Sequence, residues 1–207
     1  MKIGTCVNFS EIDGMGKKFA RLREHNFDSC QLVSWNPAAW TDENASLLKT
    51  LLEQYQITVS AFWCGWSGPA AWNFYDGPLT LGLVPVEYRQ MRIENLCDGA
   101  DFAHKLGITD VVTHMGFIPE NPYDPNFSSF CIAVRTVAEH LKKNGQCLLF
   151  ETGQETPVTM LRCFEAVGTD NLYVNLDTAN LILYGKANPA DALDVFGKYV
   201  RNLHAKD

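Results

Sequence analysis

Short apolar runs recur along this chain at a nearly constant interval, each followed by a stretch carrying helix signals, and that beat constrains the fold more than any other feature. The runs are Lys2–Val7, Ser29–Val33, Thr58–Cys64, Asp110–His114, Cys147–Glu151, Leu172–Asp177 and Val200–His204. Apolar residues sit on consecutive positions in most of them, the pattern of a parallel strand covered on both faces rather than of a half-exposed one. Between them, Phe19-Ala20-Leu22 opens a first helix, Thr41-Asp42-Glu43 caps a second that runs to Tyr55, and Pro85 starts a third that ends near Leu106-Gly107. Asn126 to Lys143 reads as a fourth helix stopped by Asn144-Gly145, Thr156-Pro157 starts a fifth, and Asn188-Pro189 a sixth.

Strand alternating with helix is the sequence form of a parallel α/β protein. The run ends Val7 and Val33 are 26 positions apart, Glu151 and Asp177 also 26, and Asp177 and His204 27. Cys64 to His114 takes 50, the excess falling in Trp66–Leu83, a Gly/Pro/aromatic stretch that reads as a long loop following its strand. An even beat with long loops after strands predicts a (β/α)8 TIM barrel rather than an open doubly wound sheet. No strand is followed by GxGxxG; Gly14-Met15-Gly16 lacks the third glycine. A barrel typically takes about 250 residues, whereas this chain has 207, as one domain spanning 1–207, and seven runs. The expectation is a barrel lacking its eighth strand-helix unit, in a chain that is C-terminally incomplete.

Charge and cysteine usage narrow the function classes. With 24 acidic and 17 basic residues the formal net charge is −7, which lacks the electrostatic footprint of a nucleic-acid binder and argues against membrane surfaces. No apolar run reaches the roughly 18–20 residues of a membrane span, and Met1-Lys2-Ile3-Gly4-Thr5-Cys6 is no signal sequence, so a cytoplasmic location is expected. The seven cysteines are scattered and never spaced CxxC, which predicts reduced, buried thiols, Cys6, Cys64 and Cys147 among them in apolar runs.

The chemistry is expected where polar residues end buried strands, because those positions face a barrel's active mouth. Four runs end this way, at His114, Glu151, Asp177 and His204. A carboxylate or imidazole there bears a desolvation cost unless paired, hydrogen-bonded or bound to metal. Glu151, Asp177 and His204 on three successive strands converge as a divalent-cation site for Mn2+, Mg2+, Co2+ or Zn2+, among which the donor set does not choose.

These strand ends carry a resemblance. Phe150-Glu151-Thr152-Gly153-Gln154-Glu155, Asn175-Leu176-Asp177-Thr178-Ala179-Asn180-Leu181 and Leu203-His204-Ala205-Lys206-Asp207 resemble the motifs of the sugar phosphate isomerase/epimerase family in the xylose-isomerase-like TIM barrel superfamily. Val112 to Pro119 and Trp72 to Pro78 fit the same family. The resemblance implies that Glu151, Asp177 and His204 hold a catalytic metal, and that Glu151 is one of two glutamates exchanging protons with substrate. The second glutamate, also the fourth ligand, belongs to an eighth strand. Asn180 stands where several epimerases carry a histidine that assists the substrate oxygen. The implied reaction removes a proton from a carbon next to a carbonyl while the cation stabilises the resulting enediolate.

The expected partner is a small-molecule sugar or sugar phosphate; a homo-oligomer stays open. Trp35, Trp63, Trp66 and Trp72 lie at or just past strand ends, where aromatic faces suit sugar C–H faces or else pack the barrel top or a subunit contact. His114 either bonds a substrate hydroxyl or is satisfied within the barrel, Lys206 either binds a carbonyl oxygen or an anion or is solvated, and Glu155 completes the candidate substrate contacts. His25, His104 and His140 fall at helix ends and Arg89 and Arg92 on a solvated helix face. An inosose-type dehydratase, a hydroxypyruvate-type isomerase and a non-catalytic truncated sugar-binding relative are the alternatives. The abasic-site endonuclease branch is disfavoured, since it needs more than these five histidines and less negative charge.

Overall fold

The computed structural model describes residues 2–206. Its seven strands are β1 (Thr5–Asn8), β2 (Ser29–Ser34), β3 (Thr58–Cys64), β4 (Asp110–Thr113), β5 (Cys147–Glu151), β6 (Leu172–Asp177) and β7 (Val200–His204). They form a single parallel sheet in sequence order, β1 to β7, each paired with the next, with register shifts at Cys30/Gln31 in the β2–β3 ladder and at Val174/Asn175 in the β6–β7 ladder. Helices α1 (Met15–Glu24), α2 (Asp42–Tyr55), α4 (Val86–Lys105), α5 (Pro125–Lys143), α6 (Pro157–Val167) and α8 (Pro189–Phe196) return the chain between strands, with short α3 (Gly77–Thr80) and α7 (Thr178–Leu183) inserted in loops. This is a TIM-barrel-like fold; among the described residues there is no eighth unit and no strand paired to the outer edge of β1 or β7.

Local signals place the helices. Thr41, Asp124, Thr156 and Asn188 each accept a hydrogen bond from a backbone N–H of the following first turn, and proline occupies N1 of α5, α6 and α8. The first strand begins at Thr5 rather than Lys2. Ile3, although apolar, is 72% exposed, and Gly4 lies so close to Ser29 O that an added Cβ would collide with it.

The sheet separates two apolar layers. Alternate residues such as Leu32, Phe62, Val111, Leu148, Phe150, Val174 and Leu176 join the large core beneath the helices. The opposite set, Ala61, Trp63, Val112 and Leu149 with Val33, Cys147 and Tyr173 against them, fills the barrel interior. Because side chains alternate along a strand, the residues two positions on from Leu149 and Tyr173, namely Glu151 and Asn175, also belong to the inner set, as does Asp177. Hence the interior is apolar at its base and polar at the C-terminal ends of the strands.

The segment between β3 and α4, residues 65–85, is the longest connection. Gly82 and Gly116, both at positive φ, let it cross the β4–α5 loop backbone against backbone, and Leu83 N–H donates to Met115 O at 3.1 Å. Two arginines of α4 clasp it. Arg92, fully buried, donates to Gly82 O at 2.6 Å, Pro69 O at 2.8 Å and Ser67 O at 3.4 Å, and its guanidinium lies over the rings of Trp66 and Tyr88. Arg89 donates to Leu83 O, Val84 O, Asn126 and Ser129. The expectation of a solvated face is therefore wrong for both residues: the loop folds back over α4 and its carbonyls need donors. Burial lowers the Arg92 pKa to about 10, which leaves it charged at neutral pH.

Candidate active site

Glu151 and Asp177 end β5 and β6 and are 3% and 2% exposed; His204 ends β7 and is partly buried. One donor atom from each lies within 4.8 Å of the others. Glu151 and His204 sit within a closed ring of hydrogen bonds. Gln31 Nε2 donates to Asn175 Oδ1 at 3.2 Å, Asn175 Nδ2 donates to Glu151 Oε2, His204 Nδ1 meets Glu151 Oε1 at 2.7 Å, and His204 Nε2 meets Gln31 Oε1 at 2.7 Å.

With Glu151 ionised, every atom's role in that ring is forced. The carboxylate can only accept, so Asn175 presents its NH2 to Glu151 and its oxygen to Gln31, and Gln31 turns its own oxygen to His204. The imidazole must then donate from both nitrogens, as only the cation does. Burial works against this charge, but the hydrogen bonds, including one to Glu151, lift the His204 pKa to about 10. Glu151 is pushed upward by burial, with the bonds from His204 and Asn175 opposing.

Asp177 is arranged similarly. Its Oδ1 accepts from Asn180 N–H at 2.9 Å, capping α7, and its Oδ2 accepts from Lys206 Nζ at 2.9 Å. Lys206 also donates to Asn180 Oδ1 at 2.7 Å. Thr152 Oγ1 exchanges hydrogen bonds of 2.8 Å with Asp177 N and O, and Asn180 Nδ2 donates to Thr152 O. The two buried carboxylates thus face two cationic groups, the His204 ring and the Lys206 ammonium. One divalent ion carries the same charge. Ligands around such an ion, at roughly 2.0–2.2 Å each, lie within about 4.4 Å of one another, so the triad needs only a slight contraction. Two carboxylates and one imidazole suit the cations expected from sequence.

Beyond the triad stands an aromatic wall. Trp35 packs on Trp63, Trp66 and Trp72 with ring centroids 5.1, 5.0 and 6.1 Å apart. His114 continues it, 5.6 Å from Trp63 and 4.9 Å from Trp72. Burial holds the His114 pKa down at about 3, so the ring is neutral, with the Gln154 side chain as its hydrogen-bonding neighbour. Trp66 Nε1 is buried without a partner, and the Glu155 carboxyl is buried beside the backbone N–H groups of its own residue and Gly153. Burial pushes the Glu155 pKa to about 8.

A family model described as a xylose isomerase-like TIM barrel matches residues 19–207. The chain belongs to the xylose isomerase-like TIM barrel family. The xylose isomerase domain protein from Planctomyces limnophilus is 31% identical, with a TM-score of 0.91 over 99% of this chain and 73% of that one. An L-ribulose 3-epimerase gives a TM-score of 0.76 at 20% identity, covering 99% of this chain and 69% of its own. A xylose isomerase-like TIM barrel protein from Mycobacterium smegmatis, in complex with magnesium, gives 0.72 at 21% identity over 95% and 67%. No curated protein matches.

Within this xylose isomerase-like barrel, the structure brings Glu151, Asp177, His204 and Lys206 into one cluster, and His114, Trp35, Trp63, Trp66 and Trp72 into a second. Glu155 is buried in the β5–α6 loop. The ring partners Gln31 and Asn175 were missed; both are uncharged amides at inward positions of buried strands, and that placement was the only signal. Among the cysteines all seven are free thiols, but Cys6 is exposed and Cys147 half-buried, against the expectation that apolar runs would bury them. Cys6 lies on the unpaired side of the sheet, where no neighbouring strand covers it. The helix-end histidines conform: His25 caps α1, and His140 bonds Asp101 at 2.8 Å. No helix of the described residues is long and apolar enough to cross a membrane.

Proposed function

We propose that the protein is a divalent-metal-dependent isomerase or epimerase acting on a sugar by proton transfer at a carbon next to a carbonyl. The observation that carries this reading is the Glu151, Asp177 and His204 cluster at the ends of three successive strands. The epimerase among the structural neighbours and the magnesium complex of another support it. Glu151, Asp177 and His204 would hold the cation. When bound, it would polarise the substrate's carbonyl and neighbouring hydroxyl and offset the negative charge they acquire.

Glu151 supplies the base. Its carboxylate is desolvated, which strengthens it toward a carbon-bound proton, and Asn175 and His204 fix its orientation through one oxygen each. Lys206 beside Asp177 orients the substrate's oxygens and adds positive charge where it is needed. The tryptophans and His114 exclude water from the carbon chain.

The test is solvent exchange. Protein loaded with Mn2+ or Mg2+ in D2O should place deuterium at the carbon next to the carbonyl of a ketose, seen by proton NMR. Glu151→Gln should lower that exchange at least about 100-fold with unchanged circular dichroism. A folded preparation that neither retains a divalent ion nor exchanges would overturn the reading.

A further inference from the structure

We propose that the protein pairs with a second copy of itself through an apolar face on the rim of the barrel, built from α3 with the turn before it and from α7. Exposure marks the face. Phe74 is 61% exposed, Tyr75 88%, Leu79 68%, and Ile182 and Leu183 67% each. Tyr75 and Leu79 stand four positions apart, on the turn that leads into α3 and on α3 itself, while Ile182 and Leu183 end α7. The two groups make one surface, because Phe74 meets Tyr184 with ring centroids 5.4 Å apart and both touch Phe117, at 6.3 and 6.1 Å. Gly77 seats α3 on that floor: a Cβ added there would stand 2.6 Å from the Phe117 ring.

The area is what a stable pair requires. Elsewhere the exposed large apolar residues come one to a helix, such as Leu47 on α2, Ile132 on α5 and Val158 on α6, which is ordinary for a surface. A whole aromatic side chain presents roughly 150–250 Å2, and an aliphatic one somewhat less. At their exposures the five rim residues therefore leave roughly 700 Å2 open, against about 800 Å2 that each partner brings to a standard interface. A monomer seldom leaves so much continuous apolar surface to water.

Shape and charge select the partner. Tyr184 is buried and Phe117 partly so, so they floor a shallow valley between an α3 ridge and an α7 ridge. A two-fold axis through that valley sets α3 of each copy against α7 of the other, and each apolar ridge meets one of its own kind. Little charge stands in the way. Lys186, two residues past Tyr184, pairs with Glu120 at 3.3 Å, and Asp76 is the one charged residue between positions 72 and 80. A lipid surface would call for a basic rim, and a charged macromolecule for a field of opposite sign; this face has neither. Two copies of a chain with formal net charge −7 repel one another over most of their surfaces, and a nearly neutral apolar face is where they can meet. The face belongs to the loops after β3, β4 and β6 and does not include the open edges of β1 and β7.

Sedimentation equilibrium of the whole chain tests this and needs no turnover, so its outcome is independent of the isomerase reading. The mass should reach twice the 23.2 kDa of one chain by a concentration of about 100 µM. Tyr75→Glu and Leu183→Glu, on separate elements, should each raise the dissociation constant at least about 100-fold with unchanged circular dichroism. Val158→Glu, exposed on α6 and off the face, should leave it within about threefold. A chain that stays monomeric throughout overturns the proposal. So does a dimer that Leu183→Glu leaves whole and Leu203→Glu splits, which would put the contact at the open edge of β7. A monomer that sediments with phosphatidylcholine vesicles and loses them on Leu183→Glu would give the face to lipid and overturn it as well.

Discussion

The two sides of the barrel mouth are built differently. Along β4, β5 and β6 nearly every residue is buried and each strand is paired on both edges. On β1 and β7 burial is sparse, Leu203 is 50% exposed, and among the described residues each strand is paired on one edge only. The candidate ligands divide accordingly. Glu151 and Asp177 are set in place by packing around them, whereas His204, on the open side, is held by hydrogen bonds to Glu151 and Gln31 and a longer contact with the Cys6 sulfur. Since β5 and β7 share no ladder, the His204 to Glu151 bond ties the two sides together through the interior, and the Gln31 to His204 bond carries the link on to β2. One half of the site rests on apolar burial and the other on a polar ring, and the two should fail differently.

The largest effect belongs to the packed side. Arg92→Met leaves the carbonyls of Ser67, Pro69 and Gly82 without their donor and should cost about 3–5 kcal/mol of stability in denaturant unfolding. A loss below about 1 kcal/mol would show that the loop is not clasped. Next comes a pH effect on the same side. Glu155 has a folded pKa of about 8 against an ordinary 4.5, so the native state binds the extra proton between those values and stability falls as pH rises from about 4.5 through about 8. The change is on the order of a few kcal/mol, and Glu155→Gln should flatten it in thermal unfolding series; a wild-type curve parallel to the variant's would refute it.

On the open side the effect moves from stability to binding. Gln31→Leu removes the bond that steers His204 and should weaken divalent-ion affinity about 10- to 100-fold, measured by calorimetry, while unfolding changes little. Unaltered affinity would mean that β7 positions its histidine without help. Smallest of all, Leu203→Ala should stay within about 0.5 kcal/mol of wild type, because half of that side chain already meets solvent. A core-sized loss there would erase the distinction between the two sides.

What the sequence discloses follows the same division. Strands β3, β5 and β6 are legible to the residue, because covered strands read as largely apolar runs and their ends as abrupt polar residues; β7, Val-Arg-Asn-Leu-His, is placed by its spacing from β6 instead. For the same reason Glu151, Asp177 and His204 stand out: a charge closing an apolar run is costly without a partner. Gln31 and Asn175 do not stand out, since an uncharged amide inside a strand betrays nothing of what it bonds across the barrel. Arg89 and Arg92 are misread because their partners are backbone carbonyls of a distant loop, which have no sequence signature. Lys2 and Ile3 are misread as strand because apolar pattern alone does not reveal that an edge lacks a neighbour.

The exposed edge has one practical consequence. Of seven thiols only Cys6 faces solvent, the others being buried or half-buried, and burial raises the pKa of Cys30, Cys64 and Cys97 and so blunts their reactivity. Its sulfur lies 3.9 Å from His204 Nε2. A maleimide-borne fluorophore or spin label would therefore attach first at this position, giving this chain a built-in spectroscopic handle beside the candidate metal ligand His204.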